Sequence, residues 1–91
     1  MVVKIELLKT EYCVFCPQAS VIVHKVAKEF GNKVEVKEVY LDKDDTARNR
    51  AIELGIFSVP TILINGLPTL TGVPRESLLK DLIKQAIEKG L

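Results

Sequence analysis

Glu6-Leu7-Leu8-Lys9-Thr10-Glu11-Tyr12-Cys13-Val14-Phe15-Cys16-Pro17 is the stretch that decides the fold. Two cysteines, spaced C-x-x-C, stand between an apolar run and a helical pattern. A thiolate at the mouth of a helix faces unpaired backbone N–H groups and the positive end of the helix dipole. Its pKa falls, and it becomes a nucleophile near neutral pH. A second cysteine three residues on can attack a mixed disulfide formed at the first and release the product. The pair is a candidate two-electron redox centre.

Upstream of the cysteines, Val2, Val3, Ile5, Leu7 and Leu8 read as a strand buried on both faces. Downstream, Ala19, Ile22, Val23, Val26, Ala27 and Phe30 recur at helical spacing from Cys16, with Pro17 suited to the first turn and Gly31-Asn32 as the stop. Val34 to Leu41 forms a second strand, and Asp42, Asp44 and Asp45 open a second helix. That helix has a thin inward face of Ala47, Ala51, Ile52 and Leu54, and Gly55 ends it. Val59 to Ile64 is almost wholly apolar and must be a central strand. Asn65-Gly66 signals a tight hairpin, and Pro68 marks Leu67 to Thr71 as an edge strand. Pro74 starts the last helix, whose apolar face is Leu78, Leu79, Leu82, Ile83, Ala86 and Ile87, with Gly90 at its end. The order is β-α-β-α-β-β-α. A right-handed crossover makes the first two strands parallel, and the hairpin adds an antiparallel pair. An α/β fold follows, a mixed four-stranded sheet with helices on both faces.

Length and composition narrow the function. Ninety-one residues suit a single domain over 1–91. A hydrophobic content of 47% supports a core without staples, and the formal net charge of +1 argues against nucleic acid as the main partner. No apolar run reaches membrane-spanning length, and the charged start does not read as a signal peptide. A cytoplasmic monomer is the expectation. A single C-x-x-C pair there is more often catalytic than structural, because so small a disulfide loop removes little chain entropy.

Taken together, the strand leading into C-x-x-C, Ser58-Val59-Pro60-Thr61 at the third strand, the Asn65-Gly66 hairpin and the closing amphipathic helix resemble the thioredoxin superfamily. The chain is glutaredoxin-sized and looks most like the small thioredoxin-like and glutaredoxin-like proteins of archaea and some bacteria. The resemblance implies a protein thiol–disulfide oxidoreductase with Cys13 as nucleophile and Cys16 as resolving thiol. It implies a cis Val59-Pro60 bond, whose backbone pairs with an extended substrate. It implies disulfide-containing protein substrates and an external reductant, such as a flavoenzyme akin to thioredoxin reductase. The redox-active Cys13-Cys16 disulfide takes the place of a cofactor, and no metal is expected.

The departures from the family pattern matter as well. Val14 and Phe15 replace the usual Gly-Pro or Pro-Tyr between the cysteines, which suggests a moderately reducing protein. Leu7 stands where thioredoxins keep a buried aspartate, leaving Glu38 as the candidate proton acceptor, with a pKa expected to be raised on an apolar face. Tyr12 and Phe15, with Phe57, are candidates for an apolar docking rim. His24 and the Arg48-Asn49-Arg50 cluster read as solvated helix faces. Thr10, Lys9 and Gly72-Val73-Pro74-Arg75 do not reproduce the glutathione site of glutaredoxins. A glutathione-dependent glutaredoxin is one alternative, and a non-catalytic docking module with this fold is the other.

Overall fold

The computed structural model describes residues 2–89. Seven principal elements follow the expected order: β1 (Val3–Lys9), α1 (Cys16–Glu29), β2 (Val34–Tyr40), α2 (Asp45–Glu53), β3 (Thr61–Ile64), β4 (Leu67–Thr71) and α3 (Glu76–Lys89). A short 3-10 turn over Gly31–Lys33 joins α1 to β2. The sheet order is β2-β1-β3-β4. β1 and β2 are parallel, and the pairings of β1 with β3 and of β3 with β4 are antiparallel.

Helices cover the two faces unequally. On one face α1 and α3 pack on β1 and β3 through Val3, Ile5, Leu7, Ala19, Val23, Val26, Ile62, Leu79 and Ile83. Each fully buried large aliphatic here contributes about 1.5–3 kcal/mol. On the other face, among the described residues, α2 alone lies against the sheet, and Leu8, Val39, Ala51 and Leu63 form a smaller cluster there, with Leu41, Ala47 and Ile56 at its margin. β1 is therefore buried on both faces only at Leu7 and Leu8, while Lys4 is exposed and Glu6 half-buried.

The thin face of α2 is thinner than its sequence suggests. Ala51 is its buried residue, whereas Ile52 is 58% exposed and Leu54 37% exposed. The helix is held instead at its start, where Asp44 as N-cap accepts the Ala47 N–H at 3.1 Å. Arg50, expected on a solvated face, reaches back to β1 and grips Glu6 through both carboxylate oxygens at 2.7 and 2.8 Å.

β3 begins at Thr61 rather than Val59, because Pro60 has no N–H to offer the ladder. The Asn65-Gly66 turn has positive φ at both residues, 51° and 83°, as a two-residue hairpin of matching twist requires. β4 is an edge strand with an irregularity where Leu63 pairs with Pro68, and the Thr69 hydroxyl donates to the Leu67 carbonyl at 2.8 Å. α3 starts at Glu76, two residues past Pro74, and the expected stop at Gly90 lies outside the described residues.

Candidate active site

β1 delivers the chain into the loop Thr10–Phe15, and α1 begins at Cys16 with Phe15 as its N-cap. Among the described residues no side chain caps this helix, and its first turn carries no acidic residue. The dipole end is thus left available to a charge at Cys13. The Cys13 N–H donates to the Thr10 carbonyl at 3.4 Å, which folds the loop back on itself. Cys13 and Cys16 are joined as a disulfide, with Cα atoms 5.4 Å apart. Cys16 is sealed at 1% exposure on the core side of α1, while Cys13 is half-buried. The two sulfurs therefore differ in access.

The β1–β3 register pairs Leu8 with Thr61, so Pro60 lies level with Lys9 at the cysteine end of the sheet. Val59-Pro60 is a cis peptide, and Pro60 is buried. Two bonds hold this turn. The Thr61 hydroxyl donates to the Ser58 carbonyl at 2.7 Å, and the Gly72 N–H donates to the Pro60 carbonyl at 2.8 Å. Gly72 has φ +79°, a conformation that glycine adopts freely, so it can turn its amide towards Pro60 as β4 ends. This tether was not apparent from sequence; a glycine directly after an edge strand was its one signal.

Around the redox pair, apolar side chains stand in water. Tyr12 is 87% exposed, Val14 81%, Phe15 58% and Phe57 89%. Tyr12, Phe15 and Phe57 are thus not members of the core, and each exposes an aromatic ring to solvent.

Glu38 behaves in the opposite way to the sequence expectation. Its register partner is Leu7, which puts it on the α1 side of the sheet. Its carboxylate accepts from the Lys9 ammonium at 2.7 Å and the Ser20 hydroxyl at 2.9 Å, and meets His24 Nε2 at 2.8 Å. The Lys9 hydrogen bond, aided by His24 and Ser20, outweighs desolvation and holds its pKa down to about 2 rather than raising it. A carboxylate so stabilised is a poor acceptor for a thiol proton. His24 is half-exposed, but it is tied to this pair rather than simply solvated. Among the described residues, no group of three or more His, Cys, Asp and Glu is placed to hold a metal ion.

The loops beside the cysteines are laced together. The Leu41 N–H donates to the Lys9 carbonyl at 2.8 Å, and the Glu11 N–H donates to Asp42 Oδ2 at 3.0 Å. The ammonium groups of Lys9 and Lys43 lie 4.9 and 5.0 Å from the centroid of the Tyr40 ring. The links from Lys9 and Glu11 to Tyr40, Leu41 and Asp42 were not visible in the sequence, because the partners lie some thirty residues apart. Among the described residues, no helix is long and apolar enough to cross a membrane.

Comparison with known proteins agrees with this geometry. Residues 1–84 match the family model described as the thioredoxin domain. A protein named probable thioredoxin from Methanothermobacter marburgensis is 39% identical over 88 residues, covering 97% of this chain and all of the relative. The thioredoxin of Methanocaldococcus jannaschii is 38% identical over 85 residues, covering 93% of this chain and 96% of the relative. Among solved structures, a protein disulfide oxidoreductase from Aeropyrum pernix superposes with a TM-score of 0.80 at 35% identity. The match covers 97% of this chain and 38% of that longer one. Chloroplastic thioredoxin z superposes with a TM-score of 0.79 at 21% identity, covering 96% of this chain and 80% of the other, a likeness of fold.

Proposed function

The chain belongs to the thioredoxin domain family and is a thiol–disulfide oxidoreductase, and we propose that it reduces disulfides of protein substrates through Cys13 and Cys16. One observation carries the assignment of roles. The disulfide sits at an uncapped helix mouth with one sulfur reachable and the other at 1% exposure. In the reduced protein the Cys13 thiolate attacks a substrate disulfide. One substrate sulfur bonds to Cys13, and the other leaves as a thiolate that takes a proton from solvent. Cys16 then loses its proton to water and attacks the Cys13 sulfur. The substrate sulfur held on Cys13 departs as a thiolate and takes a proton from solvent, and the Cys13–Cys16 bond forms. The substrate has gained two electrons and the protein has lost two. An external dithiol or a reductase of the flavoenzyme type returns them.

The backbone at Val59, fixed by the turn at Pro60, offers a pairing edge to an extended substrate, and Tyr12 and Phe15 supply apolar contact. No further cofactor is required, since the disulfide itself is the redox group. A reducing compartment such as the cytoplasm suits this direction of transfer.

The test is reduction of insulin with dithiothreitol as electron source, followed by recycling with either a thioredoxin reductase or glutathione and its reductase. Catalysed reduction, with recycling by the thioredoxin reductase, is expected. Recycling by glutathione alone would make the protein a glutaredoxin. No acceleration of insulin reduction would leave a docking module.

A further inference from the structure

We propose that the open edge of β2 pairs antiparallel with the same edge of a second copy of this chain, joining the two sheets into one. The sequence treats the two outer strands of the sheet differently. The order β2-β1-β3-β4 leaves β2 and β4 at its ends. β4 is blunted, because Pro68 and the irregularity beside it both hinder further pairing. β2 carries neither. It holds unbroken register with β1 from Val34 to Tyr40, and its sequence Val-Glu-Val-Lys-Glu-Val-Tyr alternates strand-favouring residues with charges.

The main chain of β2 can accept a partner. The Leu41 N–H donates to the Lys9 carbonyl, so the odd-numbered positions turn their main-chain groups towards β1. Alternation along the strand turns those of Val34, Val36 and Glu38 to the outside. The Val34 N–H is taken by the Gly31 carbonyl, which leaves the Val34 carbonyl to pair. With Val36 on a two-fold axis, the two copies of Val36 exchange both main-chain hydrogen bonds. Each Glu38 N–H then reaches the partner's Val34 carbonyl.

Charge selects this register. Lys4 and Glu35 are register partners of opposite sign, and so are Glu6 and Lys37. All four line one shallow depression on the sheet face. Among the described residues neither Glu35 nor Lys37 closes an ion pair. Pairing about Val36 sets Glu35 opposite the partner's Lys37, and Lys37 opposite the partner's Glu35. These are the non-hydrogen-bonded positions, where side chains approach most closely. Signs then alternate across the joined sheet, from Lys4 to Glu35 to the partner's Lys37 to the partner's Glu6. A shift of the axis by one residue sets Glu35 on Glu35 or Lys37 on Lys37, which is repulsive. Glu38 adds no loose charge, since Lys9, Ser20 and His24 hold its carboxylate. On the other face Val34 and Val36 are half-buried at the margin of the main core, and pairing covers what they still expose.

The redox centres stay open. Cys13 and Cys16 follow the Lys9 end of β1, and the two-fold axis sends the two centres to opposite ends of the joined sheet. The contact is narrow, so the dimer is weak, and the monomer expected from the sequence holds in dilute solution.

The test is sedimentation velocity of the wild-type protein between about 10 µM and about 1 mM, the range in which so small an interface should assemble. A monomer–dimer equilibrium is expected, with amide exchange at Val36 and Glu38 slowing as the concentration rises. Glu35→Lys and Lys37→Glu each set like charges across the axis and should weaken self-association by about tenfold. Mixed in equal amounts, the two variants should form a heterodimer, because every facing pair is then opposite in sign. Both variants should reduce insulin at the wild-type rate, which shows that they are folded. A wild-type monomer at every concentration would overturn the proposal. So would a dimer that survives in both variants, or variants that fail to associate when mixed. Protection of the Val36 and Glu38 amides only on addition of a disulfide peptide would give the edge to substrate and overturn it as well. Insulin reduction, unaffected by these outcomes, tests the reductase reading separately.

Discussion

The Lys9 ammonium rests 2.7 Å from the Glu38 carboxylate, with Lys9 at the end of β1 and Glu38 on the neighbouring parallel strand. Glu38 stands directly across from Leu7 in the strand register, and Lys9 lies two residues further along β1. Charge is thus retained at this end of the sheet, but as a closed ion pair rather than as a free proton acceptor. Glu38 is held at about 2, below its ordinary 4.5, chiefly by Lys9. Its stabilising effect is therefore complete above about pH 5 and is lost as the pH falls towards 2. Glu38→Gln should cost about 1–2 kcal/mol at neutral pH, after allowance for solvent screening. The deficit relative to wild type should shrink in denaturation curves taken at progressively lower pH. The resolving step, followed by stopped flow, should keep its wild-type rate. A tenfold slower step with unchanged stability would restore Glu38 as the proton acceptor.

Glu6 and Arg50 form the second ion pair that should matter for stability. Glu6 has a side-chain exposure of 17%, and the contact is bidentate, which strengthens it. Arg50 lowers the Glu6 pKa, so this contribution too is present above the ordinary carboxylate range and is lost in acid. A double-mutant cycle of Glu6→Gln and Arg50→Met should give a coupling of about 1 kcal/mol that survives 0.5 M salt. The same cycle on Lys25 and Glu76, which are exposed at 64% and 45%, should give no coupling at that salt. Equal couplings for the two pairs would show that the bidentate geometry contributes nothing.

Helix α2 should be the weakest helix of the fold. It buries one residue, Ala51, and depends on the Asp44 cap and on Arg50. Asp44→Ala should cost about 1 kcal/mol. Amide exchange should be faster along α2 than along α1, which buries Cys16, Ala19, Val23, Val26 and Ala27. Protection of α2 equal to that of α1 would contradict the prediction.

Local chemistry was legible where it is written in neighbouring residues. Strand β1 into C-x-x-C, the Asn65-Gly66 turn, the edge Pro68 and the periodic faces of α1 and α3 all rest on short-range patterns, and the structure follows them. What escaped depends on partners far apart in sequence. Lys9 and Glu38 are 29 residues apart, Glu6 and Arg50 are 44 apart, and no periodicity announces either pair. Ile52 looked inward by spacing, yet a nine-residue helix over one end of the sheet has too little surface beneath it to bury a second aliphatic.

The thiols themselves supply the final prediction. Cys16 is 1% exposed and Cys13 is half-buried at the uncapped mouth of α1. After reduction, the accessible sulfur beside unpaired backbone amides should be the thiolate at neutral pH, and the sealed one should remain a thiol. A small alkylating agent at pH 7 should label Cys13 at least tenfold faster than Cys16, since a tenfold difference corresponds to one unit of thiol pKa. Cys13→Ser should abolish insulin reduction because the attacking sulfur is gone. Cys16→Ser should still attack, but it should accumulate a mixed disulfide visible as an adduct of substrate mass. Addition of dithiothreitol should then release the substrate in reduced form. Should Cys13→Ser keep the fast-labelling thiol and trap the substrate instead, the two roles would be exchanged, and burial would no longer be the property that assigns them.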